Sequence, residues 1–354
     1  MPKDKFAGID RYLLKQLGDK RFPGAVCWIG SRRVTFFYEK YGHCQVLPSR
    51  RLMLKDTIFD LASITKPLVT ALSVMKLSEA KKIRLDDKAE KYIAEFKGRS
   101  LGVKTVRQLL THTAGLPAWF PMYSIPPDKR FDYLSGADTG ERKVVYSCLG
   151  YIILGKIVER AARTPLDIFF REVTKGLALS NTMFRPDPLA SIAATENRDR
   201  YERAKFKSCG LRSAAGWRDY LIRGEVHDGN CFYGYRGVAG NAGLFSNVPD
   251  LVRFMRAYVG GDIIPPSSVK QMTANLTGAK NPRGLGWMLD IYPGRLSPRA
   301  YGHTGFTGTM LCFDPLKDLL VILLTNDIHP HVKPDNMPPL RRQLMKIISR
   351  IFNY

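Results

Sequence analysis

The chain is poor in acidic residues. Its 354 residues carry 32 Asp and Glu against 55 Lys and Arg, a formal net charge of +23. A basic balance of this size suits nucleic acid, acidic lipid or an anionic cell-wall polymer. The basic residues are dispersed, however, and there is no zinc finger, RNA-recognition signature or basic tail, so no nucleic-acid role is expected. There is no C-x-x-C pair. The six cysteines, at 27, 44, 148, 209, 231 and 312, are scattered and read as free thiols, not as a disulfide framework or zinc site. Long apolar runs are lacking too: the best, 144–155, is short and contains Tyr, Ser and Cys, so no membrane span is expected. The opening MPKDKFAG has no apolar signal region, and the chain reads as cytoplasmic unless an export signal has been removed.

What is present is enough for a large core: 45% hydrophobic residues, with 18 Phe and 16 Tyr. Ile9, Leu13, Leu14 and Leu17 recur at helical spacing. Segments 25–29 and 34–38 read as a hairpin, and 309–313 and 319–324 as a second strand pair whose continuous apolar member is central. A last helix places Leu340, Leu344, Ile347, Ile348 and Ile351 on one face. Helices are expected at 67–79, 105–110 and 149–162, with Gly150 and Gly155 permitting close packing in the last. The loops at 115–143 and 185–245 are too long for connectors and read as cleft walls. The fold class is therefore α+β. An antiparallel sheet from both chain ends (1–65 plus 285–354) is flanked by terminal helices, and a mainly helical domain (66–284) is inserted.

S-x-x-K occurs at Ser63/Lys66, Ser73/Lys76, Ser78/Lys81 and Ser267/Lys270. A serine hydroxyl needs a neighbouring base, and a developing oxyanion needs free N–H groups. Ser73 and Ser78 fall within or at the end of a helix, with lysines expected in solvent, and Ser267 reads as a helix N-cap. Only Ser63 stands where a strand-like run, 57–62, meets a helix. Tyr146-Ser147-Cys148 precedes another helix, and His303-Thr304-Gly305 lies immediately before a strand in a glycine-rich stretch.

In this order and spacing the three segments resemble the serine β-lactamase and penicillin-binding protein superfamily. FDLASITK (59–66), LLTHTAGL (109–116) and GHTGFTG (302–308) resemble its class C β-lactamase and family VIII carboxylesterase branch, over nearly the whole chain. GEVHDGN (224–230) and GVAGNAGLFS (237–246) are similar to a subset with muramoyl-alanine amidases and DD-peptidase-like proteins. The resemblance implies a β-lactamase/transpeptidase-like fold and acyl transfer without metal or cofactor. Ser63 is then the acylated nucleophile, with Lys66 and Tyr146 sharing proton transfer and the base left open between them. His303 takes the Lys/His position, the N–H groups of Ser63 and Phe306 form the oxyanion hole, and Cys148, Thr304 and Gly305 meet the substrate.

Cys148 departs from the usual Asn, Asp or Ser, and a thiol cannot orient an amide as a carboxamide does. His303 in place of Lys removes a permanent charge and favours neutral esters over carboxylate-bearing β-lactams. Glu225, His227 and Asp228 could suggest a metal, but no second ligand cluster joins them, and His112 reads as a helix-end structural residue. The expected activity is a carboxylesterase on short acyl esters with at most weak β-lactamase action, its partner a small ester or amide. The alternatives are a hydrolase of anionic muropeptide fragments of the cell wall, acting as amidase or DD-peptidase, and a catalytically weak binding protein.

Overall fold

The computed structural model describes residues 3–353 except 138, 141–142, 189, 213–215, 279 and 334, so parts of both long loops lie outside the described residues. Among the described residues there are ten strands: β1 (Gly24–Gly30), β2 (Thr35–Gln45), β3 (Arg51–Leu52), β4 (Phe59–Asp60), β5 (Met183–Phe184), β6 (Leu244–Ser246), β7 (Met288–Leu289), β8 (Tyr301–Thr304), β9 (Met310–Asp314) and β10 (Leu319–Thr325). Seven form one sheet in the order β3-β2-β1-β10-β9-β8-β7, with every pairing antiparallel. The β1–β10 pair, Ala25 opposite Thr325 through Gly30 opposite Leu320, joins the two chain ends at the sheet's centre.

The apolar run of β10 is buried throughout because both faces are covered. Leu319, Val321 and Leu323 pack under the terminal helices with Ile9, Leu13, Leu340, Leu344 and Ile348. Leu320, Ile322 and Leu324 point the other way, into the larger core shared with the helices of the middle of the chain. Each aliphatic side chain fully buried in these two cores contributes about 1.5–3 kcal/mol.

A second sheet, β4-β6-β5, was not anticipated: β4 falls in the strand-like run 57–62, but β5 and β6 are two and three residues long, too short for a periodicity signal. It matters because Phe59 and Asp60 pair with Ser246 and Phe245, fixing the chain just before Ser63. The expected α-helix over 67–79 begins differently. Lys66–Ala71 is a wide π turn and the α-helix proper is Leu72–Glu79. Pro67 stands in the first turn of the π segment, where a missing N–H removes no intrahelical hydrogen bond. The helix Cys148–Ala162 is as expected, but only one of its two glycines is needed for contact. A Cβ on Gly155 would stand 2.9 Å from the Gly240 nitrogen, whereas one on Gly150 would meet nothing closer than 3.7 Å.

Candidate active site

Ser63 lies in a single 3-10 turn, Ala62–Ile64, between β4 and the π turn. Ala62 holds φ +47°, a left-handed conformation that costs a non-glycine residue roughly 1 kcal/mol. Asp60 fixes it: its Oδ1 accepts from the Ala62 N–H (2.8 Å), and its Oδ2 accepts from the His227 N–H (2.8 Å).

One turn on, Lys66 is 0% exposed. Its Nζ donates to Ser63 Oγ and to the Asn241 carbonyl, both at 2.9 Å. The loop carrying Asn241 is stitched to the same turn, since Thr70 Oγ1 donates to the Gly240 carbonyl (2.7 Å) and Thr65 Oγ1 accepts from the Leu244 N–H (3.1 Å). The Lys66 ammonium lies 5.0 Å from the Tyr146 ring centroid. Burial acts against that ammonium, but its electrostatic interactions with the neighbouring Cys148 and Tyr146 side chains favour it and the lysine pKa is raised. The Tyr146 phenol is raised by its burial, opposed by Lys66. The resting pair is therefore ammonium and phenol.

Tyr146 is backed by His112, whose ring lies 4.6 Å from it. His112 Nδ1 accepts the Ser147 N–H (3.0 Å), and burial, with Arg283 and Lys66, holds the imidazole neutral. The helix-end residue of the sequence reading thus fixes the tripeptide. Ser147 caps the following helix through Gly150 (3.2 Å) and donates to the Pro117 carbonyl (2.6 Å).

His303 is found inside β8, opposite Leu311, and not immediately before a strand as expected; the strand before the turn is short and glycine-containing, which hid it. The ring stands 6.0 Å from that of Tyr146. Its Nδ1 donates to the Thr304 carbonyl (2.8 Å), which leaves Nε2 as an acceptor, buried and, among the described residues, without a hydrogen-bond partner. Burial, reinforced by Lys66, lowers its pKa to about 3. The imidazole is neutral at any ordinary pH.

The turn from Gly305 to Gly308 rests on the backbone before Ser63. Thr307 Oγ1 donates to the Asp60 carbonyl (2.7 Å) and Thr309 Oγ1 to that of Leu61 (3.2 Å). A Cβ at Gly305 would lie 2.5 Å from the Leu61 oxygen, so only glycine permits this approach. Among the described residues the Phe306 N–H, inside this turn, is bonded to no acceptor.

Ser63, Tyr146, Cys148, His303, Thr304, Gly305 and Phe306 all line one cleft of about 630 Å³, a size suited to a drug-sized ligand. Lys66 sits beneath its floor. Glu225, His227 and Asp228 face three different partners. Glu225 accepts from Tyr220 (2.9 Å), His227 pairs with Glu196 (3.1 Å), and Asp228 accepts the Cys231 N–H (2.8 Å). Of the other S-x-x-K pairs, Lys76 is not in open solvent but donates to the Ile263 carbonyl (2.8 Å). Ser267 is inside the helix Pro266–Met272, whose cap is Pro265.

Sequence reasoning missed Asn241, Asp60, Arg283, Glu202 and Arg341. Glu202 borders the cleft, and burial, with the neighbouring Asp228, raises its carboxyl to about 7. Asn241 stood in a motif noted only as a cleft wall. Its carboxamide is buried, and neither end is paired among the described residues.

The family model described as Beta-lactamase matches residues 9–346. The chain belongs to that family, and its relatives include serine hydrolases of several kinds. An N-acetylmuramyl-L-alanine amidase of Bacillus subtilis (strain 168) is 32% identical over 90% of this chain and 80% of its own. A candidate D-alanyl-D-alanine carboxypeptidase of Escherichia coli O157:H7 is 30% identical over 93% of this chain and 84% of its own. Among solved structures, EstCE1, a hydrolase with promiscuous acyltransferase activity, superposes with a TM-score of 0.75 at 20% identity over 98% of both chains, a likeness of fold. The chain is a serine hydrolase of this fold. No helix among the described residues is long and apolar enough to cross a membrane.

Proposed function

We propose that the protein forms an acyl-enzyme on Ser63 and acts on neutral acyl compounds, short carboxylic esters foremost. One observation carries this reading: a fully buried amine 2.9 Å from a serine hydroxyl at the floor of a cleft. In acylation the Ser63 oxygen bonds to the substrate carbonyl carbon while its proton passes to the Lys66–Tyr146 pair. The carbonyl electron pair moves onto oxygen, received by the N–H groups of Ser63 and Phe306. Collapse of this intermediate expels the leaving group with the proton, and water then releases the acid by the same sequence. The resting pair holds one proton too many to act as base, so the reactive form is the one that has lost it.

Preference for neutral substrates follows from His303 and Cys148. A neutral imidazole that offers only a lone pair has nothing with which to hold a carboxylate. It accepts instead from a hydroxyl or amide N–H on the leaving-group side. The thiol of Cys148 supplies no carboxamide for a β-lactam. Residues 1–65 with 285–354 act as the sheet domain and 66–284 as the inserted one, the cleft lying between.

A second reading, hydrolysis of a muropeptide amide, is favoured by the identity to the amidase and by polar groups along the cleft, among them Glu202, Lys205 and Asp228. Hydrolysis of a short p-nitrophenyl ester beside a muropeptide, by wild type and Ser63→Ala, tests both. Ester turnover lost in the variant supports the first. Release from the muropeptide alone moves the assignment to the second, and activity that survives Ser63→Ala removes both.

A further inference from the structure

The turn that carries the Phe306 N–H is gripped by a buried cation that borders the same cleft. Arg341, on the C-terminal helix Met337–Ile351, is 7% exposed. Its Nη2 donates to the Gly305 carbonyl (3.1 Å) and to the Thr309 carbonyl (2.9 Å). Among the described residues no carboxylate forms an ion pair with it, and its Nε has no hydrogen-bond partner. Burial disfavours its charge, with Tyr292 and Asp327 only partly offsetting this. An arginine left in such a position is costly unless its charge serves something.

The Gly305 carbonyl and the Phe306 N–H are two ends of one peptide unit. A cation at the oxygen draws electron density through the amide and makes its N–H a stronger donor. We propose that Arg341 is a positioning residue for the oxyanion hole, polarising the Gly305–Phe306 peptide and locking the turn so that the Phe306 N–H meets the charge developing on the substrate oxygen. The inference rests on the reading of Phe306 as an oxyanion donor. It gives the C-terminal helix a part in the chemistry although none of its atoms reacts. The same guanidinium also ties Gly305 to Thr309, the pair already closed by the Gly305 N–H donating to the Thr309 carbonyl (2.8 Å).

Deleting one oxyanion donor outright costs about 100–1,000-fold in kcat, and loss of polarisation alone is a fraction of that. Arg341→Met should lower kcat for a neutral ester about tenfold with KM within about twofold, and Arg341→Lys should fall between. The carbonyl stretch of a slowly deacylating acyl-enzyme, read by infrared difference spectroscopy, should move to higher frequency in both variants, a signature that simple loosening of the helix does not produce. Unchanged kcat and stretch in a folded Arg341→Met would overturn the inference. So would a loss expressed in KM and confined to carboxylate-bearing esters, which would make Arg341 a direct substrate ligand. Should Arg341→Met not fold, Arg341→Lys is read by the same two criteria. Phe306→Pro, which deletes the N–H, separates the two levels. Wild-type rates in that variant sink the oxyanion reading itself, whereas a slow Phe306→Pro beside an indifferent Arg341→Met sinks only the role of the arginine.

Discussion

His303 offers a prediction whose size can be worked from its surroundings. The folded site lowers its pKa from 6.5 to about 3, first by burial and then by the Lys66 charge. A histidine in the unfolded chain takes up a proton near pH 6.5, whereas the folded one does not until about pH 3. Between those values the unfolded state binds more protons, so stability falls as pH is lowered through the window and is fully present above it. From pH 7 to pH 4 the gap spans about 2.5 pH units, worth about 3 kcal/mol. His303→Asn removes the titration while its amide can still donate to the Thr304 carbonyl. Urea unfolding of both proteins at pH 7, 5.5 and 4 should show the wild type losing about 3 kcal/mol more than the variant, with the curves separating only below about pH 6.5. Parallel losses would mean that the imidazole is not held neutral, and the case for neutral substrates would fall with it. The same neutrality means that no activity change between pH 5 and 8 should trace to this residue.

Lys66→Ala and Tyr146→Phe should each lower turnover by about 100–10,000-fold while leaving circular dichroism and the melting transition of a folded protein; near-wild-type rates in either would remove the proton-transfer assignment. Because the lysine and the phenol are both raised and the reactive form lacks one of their protons, wild-type kcat/KM should climb as pH rises above neutrality; a fall above pH 7 in a pH–rate profile would contradict this. Cys148→Asn should raise β-lactam hydrolysis relative to ester hydrolysis, and an unchanged ratio of the two kcat/KM values would show that this position is not what limits it.

The sheet was legible in advance because its central strands carry strong signals. The run of β10 is apolar from Leu319 to Leu324, as suits a doubly covered strand, and the helix Met337–Ile351 repeats Leu340, Leu344, Ile348 and Ile351 on one face. Ser63, Lys66, Tyr146 and His303, which the fold brings together at the cleft, stand in short motifs whose order resembles the family's. What escaped were features made by contact at a distance. Strands β5 and β6 of the second sheet are too short to show a period, and the sheet forms where β6 pairs with Phe59 and Asp60 on one side and with Met183 and Phe184 on the other. The π turn at Lys66–Ala71 leaves no mark in the sequence pattern, since Pro67 fits the first turn of an ordinary α-helix as well. Asn241 acts through its main chain, which no side-chain pattern reports. Arg341 looked like one basic residue among 55. Only its burial against Gly305 and Thr309 sets it apart.

Covalent capture of Ser63 is the most direct test of the central claim. Wild type and Ser63→Ala would be treated with a fluorophosphonate and, separately, with a slowly hydrolysed ester, quenched in acid, and examined by intact-mass and peptide mass spectrometry. The account predicts one adduct per chain of the mass of the phosphonyl or acyl group, located on the peptide containing Ser63 and missing from the variant. An adduct on Cys148 or any other residue, or labelling that persists in Ser63→Ala, would contradict it.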